Sequence, residues 1–188
     1  MNYKRLKQNK GFTLVELMVS VSLFVLVLLV SSGSILAVFD ANKKSQTLRS
    51  VMDNLNFTLE SMTRTIRFGN TYHCDITIGT ITTPRDCASG ATSIAVKASD
   101  GTQVVYKLVG SRIARSIAGG PDYYMTSSDL TVQILSFRVF GSPTFSNGAD
   151  LYQPQVIMVI KGYAGVKQTT QSTFTLETTV SQRVFDSQ

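Results

Sequence analysis

The chain has little of what most catalytic and metal sites need. His73 is its one histidine and Cys74 and Cys87 are its two cysteines. One histidine with two cysteines and no C-x-x-C spacing makes a poor zinc site. No nucleophile elbow accompanies His73, so a Ser-His-Asp arrangement has no support, and His73 is read as a loop residue beside a cystine. H-E-x-x-H, EF-hand and glycine-rich phosphate loops are absent too. Asp75, Asp86, Asp100, Asp122, Asp129 and Asp150 could supply an acid pair, but they fall mainly at predicted turns, where aspartate is common anyway. The expectation is therefore no enzyme, no metal and no cofactor.

Acidic residues are missing from the start of the chain. Lys4, Arg5, Lys7 and Lys10 all precede the first acid, Glu16. The chain has 18 basic and 12 acidic residues, a net charge of +6; without residues 1–11 the net charge would be +2. Charge therefore gives little support to nucleic-acid binding. The basic start leads into an apolar run from Phe12 to Val30 that would span roughly 28 Å as a helix, about a bilayer core. It exceeds the h-region of a signal peptide, and no A-x-A cleavage site follows it. The charge asymmetry places the first ten residues in the cytoplasm and the rest across the membrane. Glu16 stands inside this run as its single carboxylate, and an acid at such depth points to a function unless it reaches the headgroups.

Proline is absent from Phe12 to Phe68, and Gly33 is the one glycine there, so one helix of roughly 85 Å can run through both halves. Leu48, Met52, Leu55, Leu59, Met62 and Ile66 recur at helical spacing and define one apolar face. Met52 and Met62 belong to that face as core filler, since nothing else in the stripe can ligate a metal or haem. Lys43, Lys44, Arg49, Asp53, Glu60, Arg64 and Arg67 occupy the opposite face. Gly69-Asn70 predicts a left-handed helix cap. Asn56-Phe57-Thr58 matches a glycosylation acceptor within this predicted helix.

After residue 70 the composition turns to Thr, Val, Ile, Ser, Tyr and Gly, predicting strands at 76–82, 92–98, 103–109, 112–117, 131–140, 155–162 and 171–180. Asp100-Gly101 and Gly110-Ser111 read as hairpin turns. Gly119-Gly120-Pro121 and the stretch from Gly141 to Pro154, with Asn147-Gly148 inside it, read as longer loops. The simplest arrangement is an antiparallel meander with the helical stripe laid on one face, an α+β fold. Given the exported topology, Cys74 and Cys87 are expected to form a disulfide that stabilises by about 3 kcal/mol.

A basic leader ending in glycine, followed by Phe-Thr-Leu-Val-Glu-Leu and a long apolar helix, closely resembles the type IV prepilin family, which includes the pseudopilins of type II secretion. The resemblance is most specific over Lys10 to Ser20. It implies that a prepilin peptidase cuts between Gly11 and Phe12 and methylates the new amino terminus of Phe12. It also makes Glu16 the family's fifth-position glutamate, which would act in filament assembly by pairing with the amino terminus of a neighbouring subunit. Such a pair fixes register more than it adds stability, because desolvation offsets the attraction.

The implied organisation is a leader over 1–11, a transmembrane and filament-core helix over 12–36, an amphipathic helix over 37–69 and a pilin-like β-sheet domain over 70–188. VVYKLVGSRIARSI and FTLETTVSQRVF look like minor pilins and J-type pseudopilins, subunits thought to start assembly at or near a filament tip. The implied partners are other pilin or pseudopilin subunits, the prepilin peptidase, an inner-membrane assembly platform and the cytoplasmic membrane, with the β domain outside. Two alternatives are kept. One is a bitopic membrane-anchored β domain that binds a ligand or nucleic acid; the other is a competence-type filament subunit touching DNA through Arg112, Arg115, Arg138 and Lys161.

Overall fold

A computed structural model describes residues 11–143, 152–165 and 171–183. The leader's four cations, the Asn147-Gly148 turn and Asp150 lie outside the described residues. The chain separates into two units, residues 1–43 and 44–188. Helix α1 (Leu14–Phe68) contributes to both.

In the first unit α1 presents its apolar side chains outward, from Leu14 to Val30 and again at Ile35, Leu36, Val38 and Phe39. The helix is long and apolar enough to cross a membrane by length and composition, and none of its most apolar stretch is buried in the chain. Its serines fit that environment. The hydroxyls of Ser20, Ser22 and Ser32 each donate to the carbonyl four residues earlier at 2.8 Å, and Ser34 does so at 3.3 Å. A hydroxyl satisfied within its own helix needs no water partner in hydrocarbon.

In the second unit α1 lays Val51, Leu55, Thr58, Met62 and Ile66 against two antiparallel sheets. The stripe is rotated from the predicted one: Val51 and Thr58 are buried, whereas Leu48, Met52 and Leu59 are half-buried. Thr58 is tolerated there because its hydroxyl has carbonyl acceptors, Asn54 O at 2.9 Å and Met125 O at 3.0 Å. Its burial also takes the Asn56-Phe57-Thr58 acceptor motif out of play, since the hydroxyl of the motif faces inward.

The strands are β1 (Asn70–Cys74), β2 (Cys87–Ala91), β3 (Ser93–Lys97), β4 (Gln103–Val109), β5 (Arg112–Ile117), β6 (Tyr123–Tyr124), β7 (Leu130–Phe140), β8 (Gln155–Ala164) and β9 (Ser172–Ser181). They form a five-stranded sheet in the order β1-β3-β4-β5-β6 and a four-stranded sheet in the order β2-β7-β8-β9. The single meander is thereby corrected: β2 leaves the sheet of β1 and β3 to edge the other one. Both sheets turn one face to a shared core, with Tyr72, Ile94, Val96, Val104, Tyr106 and Ile113 from the first and Leu135, Phe137, Val139, Met158, Ile160 and Val180 from the second.

The two predicted hairpins are present. Gly101 and Gly110 have positive φ, at 85° and 61°, and Val109 pairs with Arg112 across the two-residue turn Gly110-Ser111. Positive φ at the first of two turn residues fits a II′ hairpin, where glycine is preferred. A bulge between Val132 and Ile134 adds one residue to β7 opposite β8. It keeps both Leu130 and Val132 before it and Leu135, Phe137 and Val139 after it on the core side, although strict alternation would have reversed the second group.

Two expectations fail locally. Residues 76–82 form no strand; they are turns between β1 and β2, with Asp75 at φ 67° and Gly79 at φ 76°. Local turn bonds, Ile78 N–H to Asp75 O at 3.2 Å and Thr83 N–H to Thr80 O at 2.9 Å, override the β-branched content of the segment. Gly69 ends α1 without a left-handed backbone; the positive φ falls on Thr71, at 52°. Glycine is needed at 69 for space. A Cβ there would come 2.6 Å from Val96 Cγ1 and 2.8 Å from both Lys97 O and Thr65 O.

Candidate functional site

Gly11, Phe12 and Thr13 precede α1 and are not helical. Thr13 caps the helix: its Oγ1 accepts from the backbone N–H of Glu16 at 3.3 Å, and its carbonyl accepts from Leu17 N–H at 3.2 Å. Thr13 to Glu16 therefore has the T-x-x-E spacing of a capping box, a signal the reading of Phe-Thr-Leu-Val-Glu-Leu passed over. Two consequences follow for chemistry. The Gly11–Phe12 peptide bond lies outside the helix, with Phe12 82% exposed. Glu16 is held in the first helical turn, where the positive end of the helix dipole favours a carboxylate. Glu16 is exposed, and its carboxylate has no ion-pair partner among the described residues. It is the one acid in an otherwise apolar exposed stretch.

Cys74 and Cys87 are joined, with their Cα atoms 5.8 Å apart. Cys74 ends β1 in one sheet and Cys87 begins β2 in the other, so the disulfide ties the two sheets together. His73 beside it is not a loop residue. It lies in β1, 1% exposed, with Nδ1 2.7 Å from Thr83 O and Nε2 2.8 Å from Ile78 O.

The four cations considered for DNA do not form one surface. Arg112 donates through Nε to Thr126 O at 2.9 Å and stacks its guanidinium 4.2 Å from the Tyr124 ring centroid. Arg115 pairs across the sheet with the buried Tyr106, and its Nε is buried. Burial pushes the Tyr106 phenol up, an effect Thr65 and Arg115 oppose. Arg138 and Lys161 stand exposed on β7 and β8 in the other sheet, with Glu177 on the strand pair between their rows. No cluster of three or more His, Cys, Asp or Glu residues that could hold a metal occurs among the described residues.

The family described as the prokaryotic N-terminal methylation motif matches residues 6–32. No curated protein and no solved structure matches the chain. The match covers the start of the chain, which is similar there to N-terminally methylated, type IV prepilin-like proteins, and the apolar α1 fits membrane anchoring.

Proposed function

We propose that the chain is a minor pilin or pseudopilin, a structural subunit of a type IV pilus-like or type II secretion filament that acts in initiation or at the tip. The observation that carries this reading is the geometry at the start of α1: an exposed, non-helical Gly11–Phe12 bond, a capped helix and one acid at its third helical position. Cleavage after Gly11 frees an amino group on Phe12 that is cationic even when methylated. Glu16 then lies four residues beyond that terminus, and in a bundle of such helices its carboxylate meets the terminus of a neighbour. Both charges are shielded from lipid there, and the pair sets axial register while the apolar side chains from Leu14 to Val30 supply the association energy. On this reading residues 12–36 are the filament core, the second unit stands outside the cytoplasmic membrane, and an inner-membrane platform drives assembly.

The test is a Glu16→Gln substitution in cells that assemble the filament. Gln keeps shape and loses the charge, so incorporation into sheared filaments is expected to fall at least tenfold while membrane levels of the processed subunit hold. Wild-type incorporation of the Gln variant would overturn the pairing role.

A further inference from the structure

His73 sits on the face of β1 opposite its core-facing neighbours Tyr72 and Cys74, yet it is 1% exposed. The loop of residues 75–86, closed by the disulfide, covers it. The ends of that loop are fixed by backbone bonds: Cys74 N–H to Arg85 O at 3.0 Å, Arg85 N–H to Tyr72 O at 2.9 Å and Asp75 N–H to Ser93 O at 3.0 Å. Its middle has internal turn bonds, such as Thr83 N–H to Thr80 O at 2.9 Å, and meets the sheet through Ile76 N–H, which donates to Ser93 Oγ at 3.1 Å, and through the imidazole. Both ring nitrogens face carbonyl oxygens, Thr83 O at 2.7 Å and Ile78 O at 2.8 Å.

Carbonyl oxygens only accept, and a neutral imidazole carries a single N–H. A neutral ring would satisfy one carbonyl and press a lone pair against the other in a site closed to solvent. The doubly protonated ring donates to both. We propose that protonated His73 latches the Cys74–Cys87 loop onto the first sheet, and that loss of one ring proton releases one end of the latch and loosens residues 76–83.

The surrounding charges are few. Arg85, whose guanidinium donates to Cys74 O, opposes a cationic ring, and Asp75 favours it. Across the sheet the row continues through Ala95, Val105 and Ser116, all uncharged. On the same face Lys97 lies two residues from Ala95, and Lys107 is engaged by Asp122 at 2.9 Å. Burying a charge is costly, and the two facing carbonyls are what favour the doubly protonated ring against that cost. The loop is exposed at Thr77, Ile78, Gly79 and Thr80, so the latch controls a surface that acidification would order and alkalinisation would free.

The test uses the full chain in detergent micelles and does not depend on filament assembly. Imidazole ¹⁵N spectra at pH 5 are expected to show both ring nitrogens protonated. Amide exchange of residues 76–83, corrected for intrinsic exchange, should show protection roughly two- to tenfold lower at pH 8 than at pH 5, the effect of one hydrogen bond. In His73→Gln that pH difference should vanish. An unprotonated ring nitrogen at pH 5, or equal protection at both pH values in the wild type, would overturn the latch. Should His73→Gln fail to fold, the wild-type ring spectrum and exchange decide alone.

Discussion

Gly162 in β8 offers a sharp test of the packing described for the second sheet. It faces the bulge in β7, and a Cβ there would lie 2.2 Å from Thr131 O and 2.9 Å from Phe174 Cζ. The two obstacles differ in kind. The Phe174 ring can tilt, but the Thr131 carbonyl belongs to the bulged backbone that keeps Val132 and Leu135 both facing the core. Replacing a strand glycine by alanine would ordinarily gain about 0.5–1 kcal/mol through the unfolded chain. Overpacking costs about 1–3 kcal/mol; with backbone only 2.2 Å away the upper part of that range, about 2–3 kcal/mol, applies, and setting a gain of about 1 kcal/mol against it leaves a net loss of about 1–2 kcal/mol. For a chain of this size the melting temperature should fall by roughly 2–8 °C. Near-ultraviolet circular dichroism of the full chain in micelles reads that shift. Adding Phe174→Leu removes one obstacle and should restore little of it. An unchanged or raised Tm for Gly162→Ala, or full rescue by Phe174→Leu, would refute the claim that the β7 backbone fixes this position.

Removing the disulfide with Cys74→Ala and Cys87→Ala should cost about 3 kcal/mol in the chain-entropy account, seen as a Tm lower by roughly 6–12 °C on the usual size scaling; equal melting with and without reductant in the wild type would contradict it. Thr58→Val keeps the shape but strands the carbonyl of Met125, so a loss of about 1–3 kcal/mol is expected in urea unfolding, with an unchanged midpoint as the contrary result. Asp75 and Asp100 are both held below the ordinary carboxylate value of 3.8, Asp75 first by the Thr77 hydroxyl and Asp100 first by the Thr102 backbone N–H. Their contribution is present above that value and disappears as pH falls through the lowered folded values. Asp75→Asn with Asp100→Asn should therefore flatten the acid side of the stability curve below about pH 4; an acid limb identical to the wild type would speak against these bonds.

Much of the fold was legible because several local signals agreed. β-branched alternation located β3, β4, β5, β7, β8 and β9 to within two residues, and Asp100-Gly101 and Gly110-Ser111 marked their turns. β1 and β2, reading NTYHC and CASGA, are poor in strand-forming residues and were missed; their extension comes from pairing with β3 and β7 and from the disulfide. The division into two sheets was not legible, since alternation shows which face is buried but not which neighbours a strand takes. At the amino terminus the sequence displayed Gly11, Phe12 and Glu16 plainly, whereas Thr13 as a cap emerged only with the helix start at Leu14. The setting of His73 was hidden for a similar reason. Its two acceptors are backbone carbonyls, which carry no residue signature.

The central claim is that this chain enters a filament pathway through its first helix, and the amino terminus of the product tests it most directly. The full chain is expressed with and without a prepilin peptidase, and the intact mass and first residue are measured. The account predicts peptidase-dependent loss of residues 1–11 and a singly methylated Phe12 at the new terminus. An intact Met1 in the presence of active peptidase, or a cut beyond the apolar run from Phe12 to Val30, would contradict it and leave Glu16 without a partner.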